Sequence, residues 1–262
     1  MTYCLAMRLD EGLVFLSDTR TNAGVDNVGT YRKQHVFSPG PDRLFVIESA
    51  GNLATTQQVL DQLERDLGTP GDHESLATVQ HLFEAALYLG RMSNSVALQH
   101  QPALMGIDGT ATFILGGQIG QAAPDILLVY PEGNYIRASD ELPFLQIGEA
   151  KYGKFLLEMA VTSAVDAATA TKIALGSMMS TARANVSVGP PYDLGLYQNG
   201  AFALEQLRIH ADSPALVKLR HTWERQLHSS FSQLPNITLE DLDPSLPPSD
   251  ERELTAAHDA TP

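Results

Sequence analysis

Residues 2–20 read Thr2-Tyr3-Cys4-Leu5-Ala6-Met7-Arg8-Leu9-Asp10-Glu11-Gly12-Leu13-Val14-Phe15-Leu16-Ser17-Asp18-Thr19-Arg20. Two apolar runs, 3–9 and 13–17, flank the turn signal Asp10-Glu11-Gly12, so the stretch reads as a β-hairpin that begins almost at the first residue. Folding about that turn pairs residues whose numbers sum to about 21, which sets Thr2 opposite the Asp18 to Arg20 region. A carboxylate is thereby carried to the start of the chain.

A second pair of apolar runs follows, Tyr31 to Phe37 and Arg43 to Ser49, separated by the turn formers Ser38-Pro39-Gly40-Pro41-Asp42. Folding about Gly40 predicts Lys33 across from Ile47 and carries Ser49-Ala50-Gly51 past residues 29–31. From Asn52, a candidate N-cap, apolar residues recur at the helical period, predicting helices over 53–67 and, from Ser75 onward, 76–92. Strands are expected at Thr112 to Gln118, Ile126 to Tyr130 and Tyr135 to Ala138, and helices at Lys151 to Met159 and Ala167 to Ala184. The many Ala, Gly and Ser of the last helix suit close packing against another layer. A final hairpin, Asp193 to Tyr197 and Phe202 to Ile209, turns at Asn199-Gly200.

The order ββ, ββ, αα, βββ, αα, ββ groups strands with strands and helices with helices. It predicts the α+β class and a four-layer αββα sandwich, two antiparallel sheets between two helix layers. Residues 1–239 are read as one domain. Residues 240–262, with Asp243-Pro244-Ser245-Leu246-Pro247-Pro248 and an acidic stretch near Glu251, are read as a flexible acidic, Pro-rich tail.

With 17 basic against 31 acidic residues, a formal charge of −14 argues against nucleic acid and against an anionic membrane surface as partners. The single cysteine, Cys4, excludes an internal disulfide and is read as a small core residue. The opening carries neither a signal-peptide pattern nor a span of transmembrane length, so cytoplasmic residence is expected. His73, His81, His210 and His221 lack metal-motif spacing, and Gly24, Gly29, Gly116 and Gly117 form no phosphate-binding pattern. No metal and no cofactor is assigned.

Removal of Met1 would leave Thr2 with a hydroxyl nucleophile and, in its α-amine of reference pKa about 8, a base. Asp18 holding Lys33 nearby would favour the uncharged amine and a developing alkoxide. The backbone N–H of Gly51 is the candidate oxyanion donor.

The opening residues, Ser17-Asp18-Thr19-Arg20-Thr21-Asn22-Ala23-Gly24-Val25-Asp26-Asn27, the Arg32-Lys33 step and Ser49-Ala50-Gly51-Asn52-Leu53-Ala54 resemble the Anbu branch of bacterial proteasome-type peptidases, relatives of proteasome β-subunits and HslV. The resemblance covers roughly residues 2–235. It implies the N-terminal-nucleophile (Ntn) hydrolase fold, a threonine peptidase site, and self-assembly into ring-like or open helical homo-oligomers. On it Thr2 is the nucleophile, Asp18 and Lys33 are its charged partners, Gly51 is the oxyanion donor, and Arg20, Asn185 and Ser187 are supporting residues. Gly148-Glu149-Ala150 and the segment Ala184 to Gly189 depart from the family pattern, which has a serine-bearing turn in the first place and an aspartate followed by a serine in the second. The substrate implied is a peptide or unfolded protein, with any unfoldase partner left open. Two alternatives stand beside it: an amidase of small amides on the same fold, and a multimeric scaffold with a weak or silent site.

Overall fold

The computed structural model describes residues 2–22, 28–103 and 106–242. Met1, residues 23–27 of the family-like segment and residues 243–262 of the expected tail lie outside them. The opening hairpin is β1 (Tyr3–Leu9) and β2 (Gly12–Asp18), paired from Cys4 opposite Ser17 to Leu9 opposite Gly12. Both strands are buried almost throughout, which explains why they read as apolar runs rather than as a clean alternation. Short strands β3 (Arg20–Asn22) and β4 (Val28–Thr30) follow, then the second hairpin, β5 (Gln34–Gly40) and β6 (Arg43–Gly51). Helices α1 (Leu53–Gly68) and α2 (Leu82–His100) lead to β7 (Ala111–Ile119), β8 (Asp125–Val129), β9 (Tyr135–Arg137) and β10 (Phe144–Gly148). Helices α3 (Lys151–Ala160) and α4 (Ala167–Ala184), strands β11 (Tyr192–Gln198) and β12 (Leu204–Ile209), and helices α5 (Pro214–Gln233) and α6 (Leu239–Leu242) complete the order.

One five-stranded antiparallel sheet has the order β10-β1-β2-β11-β12 and the other β5-β6-β7-β8-β9. Helices α1 and α2 cover the second sheet, α4 lies on β1 and β2 of the first with α3 against it, and the sheets meet face to face. This is the expected α+β sandwich. Phe45, Ile47, Phe113 and Leu127 point from the second sheet to Val59, Leu63 and Leu89 of its helices, while Leu44, Val46 and Ile114 point the other way, to Cys4, Ala6 and Phe15. The period-two alternation of the strands thus fills two separate cores.

Four local readings change. The second hairpin turns at Pro41-Asp42 and its register shifts between Phe37 and Gly40, so His35 rather than Lys33 faces Ile47, and the Lys33 carbonyl accepts from Ser49 N–H at 3.0 Å. Helix α2 starts at Leu82, not 76, because Glu84 reaches back to the N–H groups of Gln80 and His81, at 2.7 and 3.1 Å, as a capping box does. It runs on to His100, just before Pro102, since nothing after residue 92 breaks it. Strands β3, β4 and β10 and helices α5 and α6 were not expected. Asn52 does cap α1, its side chain accepting from Thr55 N–H at 3.2 Å.

The chain divides into two compact units, Met1–Arg220 and His221–Pro262. In the second, α5 continues to Gln233 and Glu240 to Leu242 belong to α6.

The Gly116-Gly117 pair, dismissed as a phosphate loop, is a packing device. A Cβ on Gly116 would lie 2.5 Å from Cζ of the fully buried Phe15 across the two sheets. Gly116→Ala is expected to destabilise by about 1–3 kcal/mol, read by chemical denaturation; an unchanged midpoint would show that the sheets can separate locally without loss.

Candidate active site

The site grows from the point where the opening hairpin ends. Asp18, last residue of β2, is wholly buried, and Lys33, one residue before β5, is 5% exposed. The Lys33 ammonium donates to Asp18 Oδ1 at 2.6 Å and to the Arg20 carbonyl at 2.7 Å. Asp18 Oδ1 also accepts the Tyr3 N–H at 3.0 Å, and Oδ2 accepts the Gly189 N–H at 3.2 Å. Burial pushes the Asp18 carboxyl up, and the Lys33 cation, its hydrogen bond and the two backbone donors pull it back. One carboxylate therefore gathers the chain start, the second hairpin and the loop after α4.

Thr2 is half-buried and leads directly into β1. Its carbonyl accepts the Glu149 N–H at 2.7 Å, next to Gly148, where φ is +81° and a Cβ would stand 2.0 Å from the Thr2 oxygen. Only glycine fits there. Tyr3 is anchored from beneath: its hydroxyl meets Ser177 Oγ of α4 at 2.7 Å and accepts from Gln146, and burial raises its pKa to about 12. Gly153 of α3 makes the approach possible, since a Cβ there would lie 2.3 Å from the Tyr3 hydroxyl.

The supporting residues fall into two groups. Arg20, in β3, donates to the Val186 carbonyl at 2.6 Å, and its guanidinium packs against Gly189, where a Cβ would lie 2.4 Å from its Cζ. It thus holds the loop that donates to Asp18. Asn185, at the C-cap of α4, donates to Glu149 Oε2 at 2.8 Å and accepts the Ser187 N–H at 2.9 Å. Both ends of its amide are engaged, and Ser187 enters through its backbone. Gly51 ends β6 at φ +112°, exposed, two residues beyond the Ser49 that bonds Lys33. A Cβ on Gly51 would lie 2.5 Å from the Thr110 carbonyl, so glycine is required by backbone packing there.

Residue-by-residue reasoning did not find Gly189 or the loop bonds of Glu149, because each partner, Asp18, Thr2 or Asn185, lies on an element remote in sequence. It also missed the buried polar residues Ser17, Gln34 and Glu48 beside the site, which read as strand interior. Among the described residues no group of three or more His, Cys, Asp or Glu converges as metal ligands would, and no helix is long and apolar enough to cross a membrane.

No family model matches the chain, and no curated protein matches it. Solved structures do. Anbu (ancestral beta-subunit) from Yersinia bercovieri is 41% identical, with a TM-score of 0.85 over 90% of this chain and 100% of that one. The Anbu complex from Pseudomonas aeruginosa, solved as a helical assembly, is 37% identical with a TM-score of 0.86, covering 90% of this chain and 98% of its own. An Anbu mutant from Hyphomicrobium sp. strain MC1 is 38% identical with a TM-score of 0.84, over 91% and 100%. Identity of this order over nearly the whole length, on the same proteasome-like α+β sandwich, establishes that the chain belongs to the Anbu family.

Proposed function

We propose that the chain is an N-terminal threonine hydrolase that cleaves peptide bonds, with Thr2, freed by removal of Met1, as nucleophile. The observation that carries the reading is the buried Asp18–Lys33 pair, bonded at 2.6 Å and joined through Tyr3 N–H to the residue next to Thr2. In this mechanism the Thr2 α-amine takes the proton from its own hydroxyl as Oγ attacks the scissile carbonyl. The Lys33 cation disfavours protonation of that amine and stabilises the developing charge, while Asp18 fixes the lysine. The Gly51 N–H receives the oxyanion. Collapse expels the amine product and leaves a Thr2 ester, which water hydrolyses. Arg20, Asn185 and Ser187 support the loops around this site.

Assembly into a homo-oligomer, ring-like or open helical, follows by analogy with the helical assembly of the Pseudomonas aeruginosa relative. Unfolded proteins or peptides are the substrate class, and the cytoplasm is the compartment. A second reading, a scaffold with a weak site, is favoured by one feature: where the family pattern has an aspartate, the Asn185 amide donates to Glu149 and accepts the Ser187 N–H, so both of its ends are engaged in holding the loops.

Incubation with a β-lactone or epoxyketone probe, followed by intact mass measurement, is expected to show one adduct on the Met1-processed chain. Thr2→Ala should abolish the adduct and lower peptide hydrolysis by at least about 10³-fold. A verified free Thr2 that never labels would favour the scaffold. Lys33→Met should lower hydrolysis by about 10²–10⁴-fold and, by leaving a buried carboxylate without its cation, destabilise the fold by about 3–5 kcal/mol. Retained turnover in a folded Lys33→Met chain would remove the lysine from the mechanism.

A further inference from the structure

Behind the Asp18–Lys33 pair the contact between the two sheets stops being apolar. Along β6, Leu44, Val46 and Ala50 face the first sheet, so Glu48 faces it too; along β5, Gln34 shares the face of Val36; along β2, Ser17 shares that of Leu13 and Phe15. Glu48, Gln34 and Ser17 are each fully buried. Gln34 and Glu48 are direct cross-strand partners, so their side chains adjoin. The Gln34 amide reaches the first sheet at Gly195, where a Cβ would stand 3.0 Å from Oε1 and 3.1 Å from Nε2. Gly195 lies two residues from Asp193, the cross-strand partner of Ser17. The three side chains thus line one patch of the interlayer, each one residue from a residue of the site: Asp18, Lys33 or Ser49.

None of their polar atoms has a partner among the described residues: Ser17 Oγ, Gln34 Oε1 and Nε2, and both Glu48 carboxyl oxygens. Unsatisfied buried groups are each costly, and a cluster of five such atoms on one face is the lining that ordered water requires. The charged group that bears on Glu48 is Asp193 on β11; Glu48 in turn bears on Cys4 and Tyr3 of β1, the Tyr3 side chain lying on the helix face of that strand, the Asp18–Lys33 pair acts on the same Cys4, and β7 opposes Glu48 with Ile114. The cations beside the patch are already engaged: Lys33 with Asp18 and the Arg20 carbonyl, Arg208 with Asp193 through two bonds of 2.8 Å, and the exposed Arg32 at 3.9 Å from the same Asp193.

We infer that Ser17, Gln34 and Glu48 form an internal water-binding site behind the Asp18–Lys33 pair, in which Glu48 is a neutral carboxylic acid. A neutral Glu48 supplies one O–H donor to the water cluster and leaves Lys33 wholly to Asp18. An ionised one would add a second negative charge beside Asp193. Burial, reinforced by Asp193, raises the Glu48 pKa well above the ordinary carboxylate range, in accord with the neutral form.

The sign of the pH effect follows. Because the folded pKa lies above the unfolded one, the Glu48 contribution is complete below the unfolded pKa and is lost as pH rises through the folded value. Glu48→Gln mimics the neutral acid in shape and cannot ionise. It is expected to melt close to wild type at about pH 5 and roughly 2–4 °C or more above it at about pH 9. A variant that loses stability at neutral pH, with a gap that widens as pH rises, would mean a paired carboxylate and overturn the inference. On the wild-type chain itself, infrared difference spectra at neutral pH should show a protonated carboxyl band absent from Glu48→Gln, and a crystal structure should show ordered solvent bonded to the three side chains. A dry patch, or stability that rises with potassium or sodium at fixed ionic strength, would likewise overturn it. None of these readouts depends on hydrolysis, so they stand or fall apart from the proposed function.

Discussion

The Asp18 carboxylate is the point at which the site is tied together. It accepts from a lysine brought by the second hairpin, from the backbone of the residue after Thr2, and from the loop that follows α4. A carboxylate fully removed from water is tolerated only when its lone pairs are occupied and its charge is matched, and these three donors do both. The same requirement fixes the relative positions of three segments that are far apart in sequence. Arg20 reinforces it, binding the Val186 and Val188 carbonyls of the loop whose Gly189 N–H Asp18 accepts.

Around this anchor the four layers have different tasks. The outer helix layer of α3 and α4 holds Tyr3, through Ser177, from below, and the absence of a side chain at Gly153 lets helix and sheet approach closely. The loop from β10 to α3 holds Thr2 from the side, through Glu149 N–H and a Gly148 that admits no side chain. The second sheet brings Lys33, just ahead of β5, to Asp18, and Ser49 of the neighbouring strand β6 bonds its carbonyl. Strand ends are where backbone donors and side chains leave the ladder and become free to serve a site.

The interlayer between the sheets runs from Phe15, Leu44 and Val46 at its apolar part to Ser17, Gln34 and Glu48 at the end nearest Asp18. A polar end on an otherwise apolar core is a constraint the fold accepts beside its site.

Much of this was legible in the residues. The opening hairpin, with its register, placed Asp18 at the chain start because the side-chain period of a strand is two and a two-residue turn leaves little freedom in pairing. The grouping of strands and helices gave the sandwich, and the family-like segments near Asp18, Lys33 and Gly51 gave the Anbu relationship that the solved structures bear out. The second hairpin failed in detail because the chain turns at Pro41-Asp42 rather than at Gly40, and the bulge between Phe37 and Gly40 takes back only part of that displacement; a run of five turn formers does not say which pair makes the turn. Strand β10 is short and follows Pro143, so it stands out only once β1 needs a partner on its free edge. Long-range partnerships were beyond local pattern altogether: that Gly189 donates to Asp18, that Asn185 is spent on Glu149, and that Glu48 faces Gln34 with no cation to spare. Local sequence fixes which strand exists and which face is apolar; only the tertiary packing of two sheets decides which buried polar groups meet, because that depends on register and on layers joined across the whole chain.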